Sequence, residues 1–71
     1  MATRLLDQVI LGISGYKYVT LETVYDKTIK GRLQYYGCGD EDEICIQPDN
    51  SSTGIVLYNS DIRRIIGFSN D

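Results

Sequence analysis

Apolar residues recur at helical spacing in the first segment of the chain. The residues that share one helical face are Leu5, Leu6, Val9, Ile10 and Ile13. Thr3 is suited to the N-cap position, and Gly12 with Gly15 supplies a stop signal. The spacing predicts one short amphipathic helix over about residues 3–11, whose apolar side must pack on the rest of the domain.

Beyond residue 16 the pattern changes to the alternation that is typical of β-strands. Val19 and Leu21 alternate with Thr20 and Glu22, which predicts a strand with one buried face. Turn-forming residues then separate further short apolar runs. The pattern predicts five strands, at about residues 17–25, 28–36, 43–47, 54–58 and 62–67.

The second predicted strand has a glycine at its centre. Alternation assigns two sets of four residues to its two sides: Ile29, Gly31, Leu33 and Tyr35 on one, and Lys30, Arg32, Gln34 and Tyr36 on the other. Glycine weakens a strand interior and marks a sharp bend or a close backbone approach. We therefore expect the second strand to be strongly bent at Gly31.

A short helix followed by five short antiparallel strands predicts an all-β fold, a small barrel that occupies residues 1–71 as a single domain. A chain of 71 residues has no room for a separate cofactor domain. It contains neither an apolar run of membrane-spanning length nor a signal-peptide pattern. We expect a cytoplasmic protein with no membrane partner.

The charge of the chain is unevenly distributed. Ten acidic and seven basic residues give a net charge of −3. Four of the ten acids form one run, Asp40-Glu41-Asp42-Glu43, which leaves six acids to face seven bases elsewhere. A basic face thus remains compatible with the composition. Its expected members are Lys27, Lys30, Arg32, Arg63 and Arg64.

The acidic run admits more than one interpretation. Carboxylates are suitable ligands for Mg²⁺ or Ca²⁺, but the run lacks EF-hand spacing, and a solvated hairpin tip that attracts basic protein segments is the alternative. Cys38 and Cys45 flank it, either as reduced thiols or as a disulfide across the hairpin. We expect no metal site, because two cysteines without any histidine make a poor zinc site.

Catalysis is not expected. The chain has no histidine, so a Ser-His-Asp or Cys-His set is impossible, and it has no Gly-rich phosphate loop. We predict neither an enzyme nor a bound cofactor. Tyr35 and Tyr36, near Lys30 and Arg32, form either a stacking platform for single-stranded nucleic acid or part of the core or a subunit interface.

The order of these segments resembles the Sm and Sm-like proteins over about residues 3–66. Lys17-Tyr18-Val19-Thr20-Leu21-Glu22 and Ile29-Lys30-Gly31-Arg32-Leu33 are similar to the first Sm motif, and Leu57-Tyr58-Asn59-Ser60-Asp61-Ile62-Arg63-Arg64-Ile65 is similar to the second. The resemblance implies a strongly bent five-stranded antiparallel SH3-like barrel, the Sm-like fold, whose fourth strand pairs with the fifth strand of a neighbouring copy. It also implies a homo-oligomeric ring of about five to seven copies that binds single-stranded RNA.

The chain departs from the family pattern in its RNA-binding loops. Gly37 stands at the Asp position of the family's Asp-x-x-Met-Asn, residues 39–43 replace the remainder, and Tyr58-Asn59 replaces Arg-Gly. A small, divergent member of this kind is compatible with a bacteriophage source. An SH3-like module for protein interaction, without RNA binding, is the alternative function.

The resemblance, together with the basic face, assigns two sets of residues. The predicted nucleic-acid contacts are Tyr36, Lys30, Asn59 and Arg63. The predicted oligomer interface consists of Ile55, Val56, Leu57, Tyr58, Ile62, Arg64 and Ile66.

Overall fold

A computed structural model describes residues 4–36 and 43–71. The elements in chain order are α1 (Leu5–Ile13), β1 (Tyr18–Thr23), β2 (Thr28–Tyr36), β3 (Glu43–Pro48), β4 (Ile55–Tyr58), a 3-10 helix (Asn59–Asp61) and β5 (Ile62–Ser69). The predicted order of one short helix and five strands is therefore confirmed. In the part of the chain that the structure describes, no helix has the length and apolar character needed to cross a bilayer.

The helix is shifted toward the C-terminus relative to the sequence prediction of 3–11. It begins at Leu5, after an extended Arg4, and ends at Ile13. The predicted N-cap, Thr3, lies outside the described residues. The N–H groups of residues 14–16 donate to the carbonyls three residues earlier, those of residues 11–13, in the pattern of a 3-10 turn. These bonds tighten the last turn and give the carbonyls at the helix end their donors.

β1 ends at Thr23 and not at residue 25, because Thr23 organises the turn that follows. Its N–H donates to the Lys27 carbonyl at 2.8 Å, and its Oγ1 accepts the N–H groups of Tyr25 and Lys27 at 3.3 and 3.4 Å. Asp26 adopts a left-handed conformation with φ of 62°, which Asp tolerates better than most residues. The chain thus reverses over residues 24–27.

The strands form one antiparallel sheet in the order β4-β3-β2-β1-β5. β4 and β5 lie at its two edges, although only the 3-10 helix separates them in sequence. In a flat sheet they would lie about 19 Å apart, four strand spacings. Leu57 of β4 and Ile62 of β5 nevertheless belong to one buried cluster, so the sheet is strongly curved.

The core fills the concave side of the sheet. The members of the buried cluster are Leu6, Val9, Val19, Leu21, Ile44, Ile46, Leu57 and Ile62. β1 alternates strictly between half-buried and buried residues, as the sequence pattern predicts. The apolar face of α1 contributes Leu6 and Val9, so the helix covers one side of the core.

Gly31 lies in β2 against the backbone of β3. It pairs with Val19 on one side and with Pro48 on the other. A methyl group added at Gly31 would lie 2.6 Å from Ile46 Cγ2, 2.8 Å from the Gln47 carbonyl carbon and closer still to its oxygen. Of the two causes that the sequence offers for a glycine in this strand, a sharp bend or a close backbone approach, the structure shows the close approach.

The alternation predicted for β2 fails after Leu33. Leu33 pairs with Ile46 but Tyr35 pairs with Cys45, so Gln34 is an extra residue in a β-bulge. A bulge shifts every following side chain to the opposite face. Tyr35, which alternation assigns to the same side as Leu33, is accordingly 52% exposed.

Candidate nucleic-acid interface and sheet edges

Lys30, the first predicted nucleic-acid contact, lies on the outer face of the sheet. It is exposed and pairs with Thr20 across the β1–β2 hairpin. Its Nζ lies 5.8 Å from the centroid of the Tyr18 ring, within the range of a cation–π interaction. The ammonium is therefore held over an aromatic ring.

Asn59, the second predicted contact, has a structural role that the sequence did not indicate. Its Oδ1 accepts the backbone N–H of Leu6 at 3.2 Å. Leu6 lies in the first turn of α1, where N–H groups have no intrahelical acceptor. Asn59 thus caps the helix from a loop 53 residues away in sequence and ties the helix to the β4–β5 connection.

Arg63, the third predicted contact, binds the β1–β2 turn. Its Nη1 lies 2.8 Å from Asp26 Oδ1 and 3.9 Å from Glu22 Oε1, and its Nη2 donates to the Val24 carbonyl at 3.2 Å. Arg63 is the extra residue of a β-bulge in β5, since Glu22 pairs with Arg64 and Thr23 with Ile62. A bulge re-aims a side chain in this way.

Tyr36, the fourth predicted contact, ends β2 opposite Ile44. Its side chain lies outside the described part of the structure, as do Gly37 and the first three residues of the acidic run. The register places Tyr36 at the end of β2 nearest β4, while Lys30 lies near the other end. The contacts described for Lys30, Asn59 and Arg63 are with Tyr18, Leu6 and the β1–β2 turn, and they do not unite these residues in one site.

The predicted interface residues lie on the two edges of the sheet. On β4, Ile55, Val56 and Tyr58 are 38%, 41% and 45% exposed, and Leu57 points into the core. An edge strand leaves a row of backbone N–H and C=O groups without a strand partner. The exposed apolar residues therefore border an unpaired edge.

The other edge, β5, mixes apolar and charged residues. Ile62 is buried and Ile66 is 50% exposed. Arg64 Nε donates to Glu22 Oε1 at 3.1 Å, an ion pair with the cross-strand neighbour. Ile66 falls at a second bulge, since Thr20 pairs with Gly67 and Leu21 with Ile65.

Asp61 connects the hairpin tip to the β4–β5 connection. It accepts the Tyr25 hydroxyl and the Tyr58 N–H, both at 2.9 Å. Its backbone carbonyl accepts the N–H of Val24, also at 2.9 Å. The Asp61 carboxylate raises the pKa of Tyr25 above its ordinary value, first by the hydrogen bond and then by its negative charge.

Tyr35 and Cys45 meet on the outer face of β2 and β3. Cys45 is a free, buried thiol, and its Sγ lies 3.4 Å from Gln34 Oε1. This thiol is the main reason that the pKa of Tyr35 is raised, with smaller effects of Glu43 and Tyr58. Cys38, the other half of the possible disulfide, lies outside the described residues.

A groove of about 440 Å³ opens beside Lys30. It is lined by Thr28, Ile29, Lys30, Pro48, Asp49, Asn50 and Ile55. Among residues 4–36 and 43–71, no cluster of acidic, cysteine or histidine residues could hold a metal ion. The groove thus combines three apolar residues with polar ones that include one cation, Lys30, and one acid, Asp49.

The structure adds Tyr18 and Arg32 to the surroundings of Lys30. Tyr18 pairs directly with Arg32, and residues opposite each other in an antiparallel pair share a face. The hairpin register sets this proximity, and the short turn in the sequence is the signal from which it could have been found.

No family model matches the chain, nor does any curated protein or solved structure.

Proposed function

We propose that the protein is an Sm-like, ring-forming protein that acts as an RNA-binding or RNA-associated scaffold. The sequence motifs suggest it, and the arrangement of the sheet supports it. Curvature that brings Leu57 and Ile62 into one core is what an SH3-like barrel of the Sm type requires.

The observation that carries the proposal is the position of β4 and β5 at the two open edges of the sheet. Both edges belong to the same small domain, so β4 of one copy can pair with β5 of the next. Such head-to-tail pairing is heterologous, and it forms a closed ring when the rotation between copies closes. Closure leaves no unpaired edge, which is how an assembly avoids uncontrolled strand addition.

Exposed side chains on the edges support the same assembly. Val56 and Tyr58 on β4 and Ile66 on β5 are each between 41% and 50% exposed. Apolar side chains bordering an open edge gain stability when a neighbouring strand covers them.

Native mass measurement tests the ring. We expect a single species of about five to seven copies for the wild-type chain. Val56→Lys places a charge at the β4 edge and should shift the mass to the monomer. Leu11→Lys is the matched control, because Leu11 is 69% exposed on the helix and the same change there leaves both edges intact. A strictly monomeric wild-type protein would refute the proposal.

Binding of a labelled oligouridine tests the RNA role separately. The usual uridine-binding residues are replaced, and Asn59 and Arg63 already have intramolecular partners. Failure to bind at every salt concentration, in a protein that forms the ring, would remove the RNA role and leave the scaffold.

Asn59 and Arg63 already bind groups within the domain, Leu6 and Asp26, which makes them less available to RNA. This favours one alternative, an SH3-like barrel that binds protein segments without RNA. The acidic run, of which Glu43 alone lies in the described residues, would then attract basic segments. Binding of an oligolysine peptide, combined with no binding of oligouridine, would select this alternative.

A further inference from the structure

The outer face of the sheet carries a row of cationic and aromatic residues on β1 and β2. Tyr18 pairs with Arg32 and Thr20 with Lys30. The Lys30 ammonium lies 5.8 Å from the Tyr18 ring centroid. We call this surface, formed by Tyr18, Thr20, Lys30 and Arg32, the Tyr18 face.

We propose that the Tyr18 face binds the phosphate backbone of a single-stranded nucleic acid. This inference rests on the RNA-associated function proposed above and locates the contact away from the loops that carry it in the family. It assigns Lys30 and Arg32 to phosphates and gives Tyr18 the role of positioning the Lys30 ammonium.

Within the described part of the chain, the cations of the Tyr18 face have no ion-pair partner, unlike the arginines of β5. Arg63 and Arg64 form ion pairs with Asp26 and Glu22. Among residues 4–36 and 43–71, neither Lys30 nor Arg32 has an acidic partner within ion-pair distance. The Tyr18 face therefore has two cations available to a ligand.

Asp49 is the acidic residue adjacent to Lys30. Its N–H donates to the Lys30 carbonyl at 3.2 Å, but its exposed carboxylate forms no ion pair with the Lys30 ammonium. Glu22, two residues from Thr20 on the same side of β1, is already paired with Arg64. Among the described residues the two cations thus face one unpaired acid, Asp49, in a chain whose total charge is −3.

The spacing of the cations suits an extended polyanion. Lys30 and Arg32 are two residues apart on one strand, so their Cα atoms are separated by about 7 Å. This distance is comparable with the separation of neighbouring phosphates in an extended single strand. A nucleic acid presents such charges at every residue, whereas an extended acidic peptide presents them at this spacing only where acids occupy alternate positions of its sequence.

The surface beside the cations is low and open. Thr20 pairs with Gly67 and Tyr18 with Ser69 on β5. A methyl group added at Gly67 would have no neighbouring atom within 4 Å. Small residues on β5 thus leave space for sugars or bases next to the phosphates.

Fluorescence anisotropy with a labelled 12-residue oligouridine tests the inference, using the wild-type chain and two charge-reversal variants. Lys30→Glu should weaken binding by about tenfold or more and reduce the slope of log K against log salt by about one. Lys27→Glu is the matched control, since Lys27 is exposed in the β1–β2 turn and changes the net charge equally. It should weaken binding by less than about threefold.

A neutral variant separates shape from charge. Gly67→Gln fills the open surface without changing the net charge, and loss of oligouridine binding with unchanged native mass would support the inference. Equal weakening by Lys30→Glu and Lys27→Glu would overturn it and leave the proposed function intact. Absence of wild-type binding would overturn the inference together with the RNA role and leave only the ring scaffold of the proposed function. Displacement of the RNA by polyglutamate of equal charge would assign the face to acidic protein segments instead.

Discussion

Gly31→Ala should destabilise the domain more than any other addition of a single methyl group to a strand glycine. The added Cβ would lie 2.6 Å from Ile46 Cγ2 and 2.8 Å from the Gln47 carbonyl carbon. Side chains can rotate away from such a contact, but the backbone of β3 can move only if its pairing with β2 is disturbed. The strand pair must therefore separate locally.

The magnitude follows from opposing effects. Overpacking of a filled interior costs about 1–3 kcal/mol, and contact with the backbone places Gly31→Ala at the upper end. Replacing glycine also removes about 0.4–1 kcal/mol of unfolded-state entropy. The net loss is about 2 kcal/mol, a large share of the roughly 4–10 kcal/mol expected for a 71-residue domain.

Urea denaturation followed by circular dichroism measures this loss. With an m value of about 1 kcal/mol per molar, the midpoint should fall by about 2 M. Protein concentration must be held constant, because the proposed assembly would add to the apparent stability. Gly67→Ala is the control, since nothing lies within 4 Å of its added Cβ. A Gly31→Ala midpoint within about 0.5 M of the wild type would refute the packing argument.

Two further predictions concern the connection between β4 and β5. Asn59→Ala should lower the free energy of unfolding by about 1 kcal/mol, because the Leu6 N–H loses its acceptor, and Asn59→Asp should restore most of it in the same urea assay. The hydrogen bond from the Tyr25 hydroxyl to Asp61 should persist up to and above pH 10, the pKa of an ordinary tyrosine. It should be lost as the pH rises through the higher pKa that Tyr25 has in the folded protein. Ultraviolet titration of tyrosinate should show this late ionisation, and Asp61→Ala, which removes both the acceptor and the charge, should reduce the number of late-ionising tyrosines by one. Tyr35, whose pKa is also raised, should still ionise late in the variant.

Local patterns in the sequence predicted the elements and much of the core. The alternation of Val19 and Leu21 needs no tertiary information, because side chains of a strand alternate wherever one face is buried. Gly31 was informative for the same reason, since glycine in a strand interior requires a structural cause. The order of helix and strands then limited the fold to a curved antiparallel sheet.

Bulges and long-range contacts could not be predicted in this way. The bulge at Gln34 exposes Tyr35 and depends on the pairing of β2 with β3, which strand alternation does not reveal. Asn59 caps a helix that begins more than 50 residues earlier, so its role depends on the folded path of the chain. The sequence likewise does not show which surface charges are paired, because ion pairs such as Arg64 with Glu22 depend on strand register.

The pairing of charges separates two surfaces that the sequence placed together. Glu22 and Asp26 neutralise the arginines of β5, so that edge presents few free charges to a neighbouring strand, and desolvating paired groups there costs less than burying isolated cations. Lys30 and Arg32, two strands away on the Tyr18 face, have no ion-pair partner among the described residues. The proposed assembly through the edges and the proposed binding of a polyanion on the face therefore use different residues, and a change at Val56 is expected to disrupt the first without altering the cations of the second.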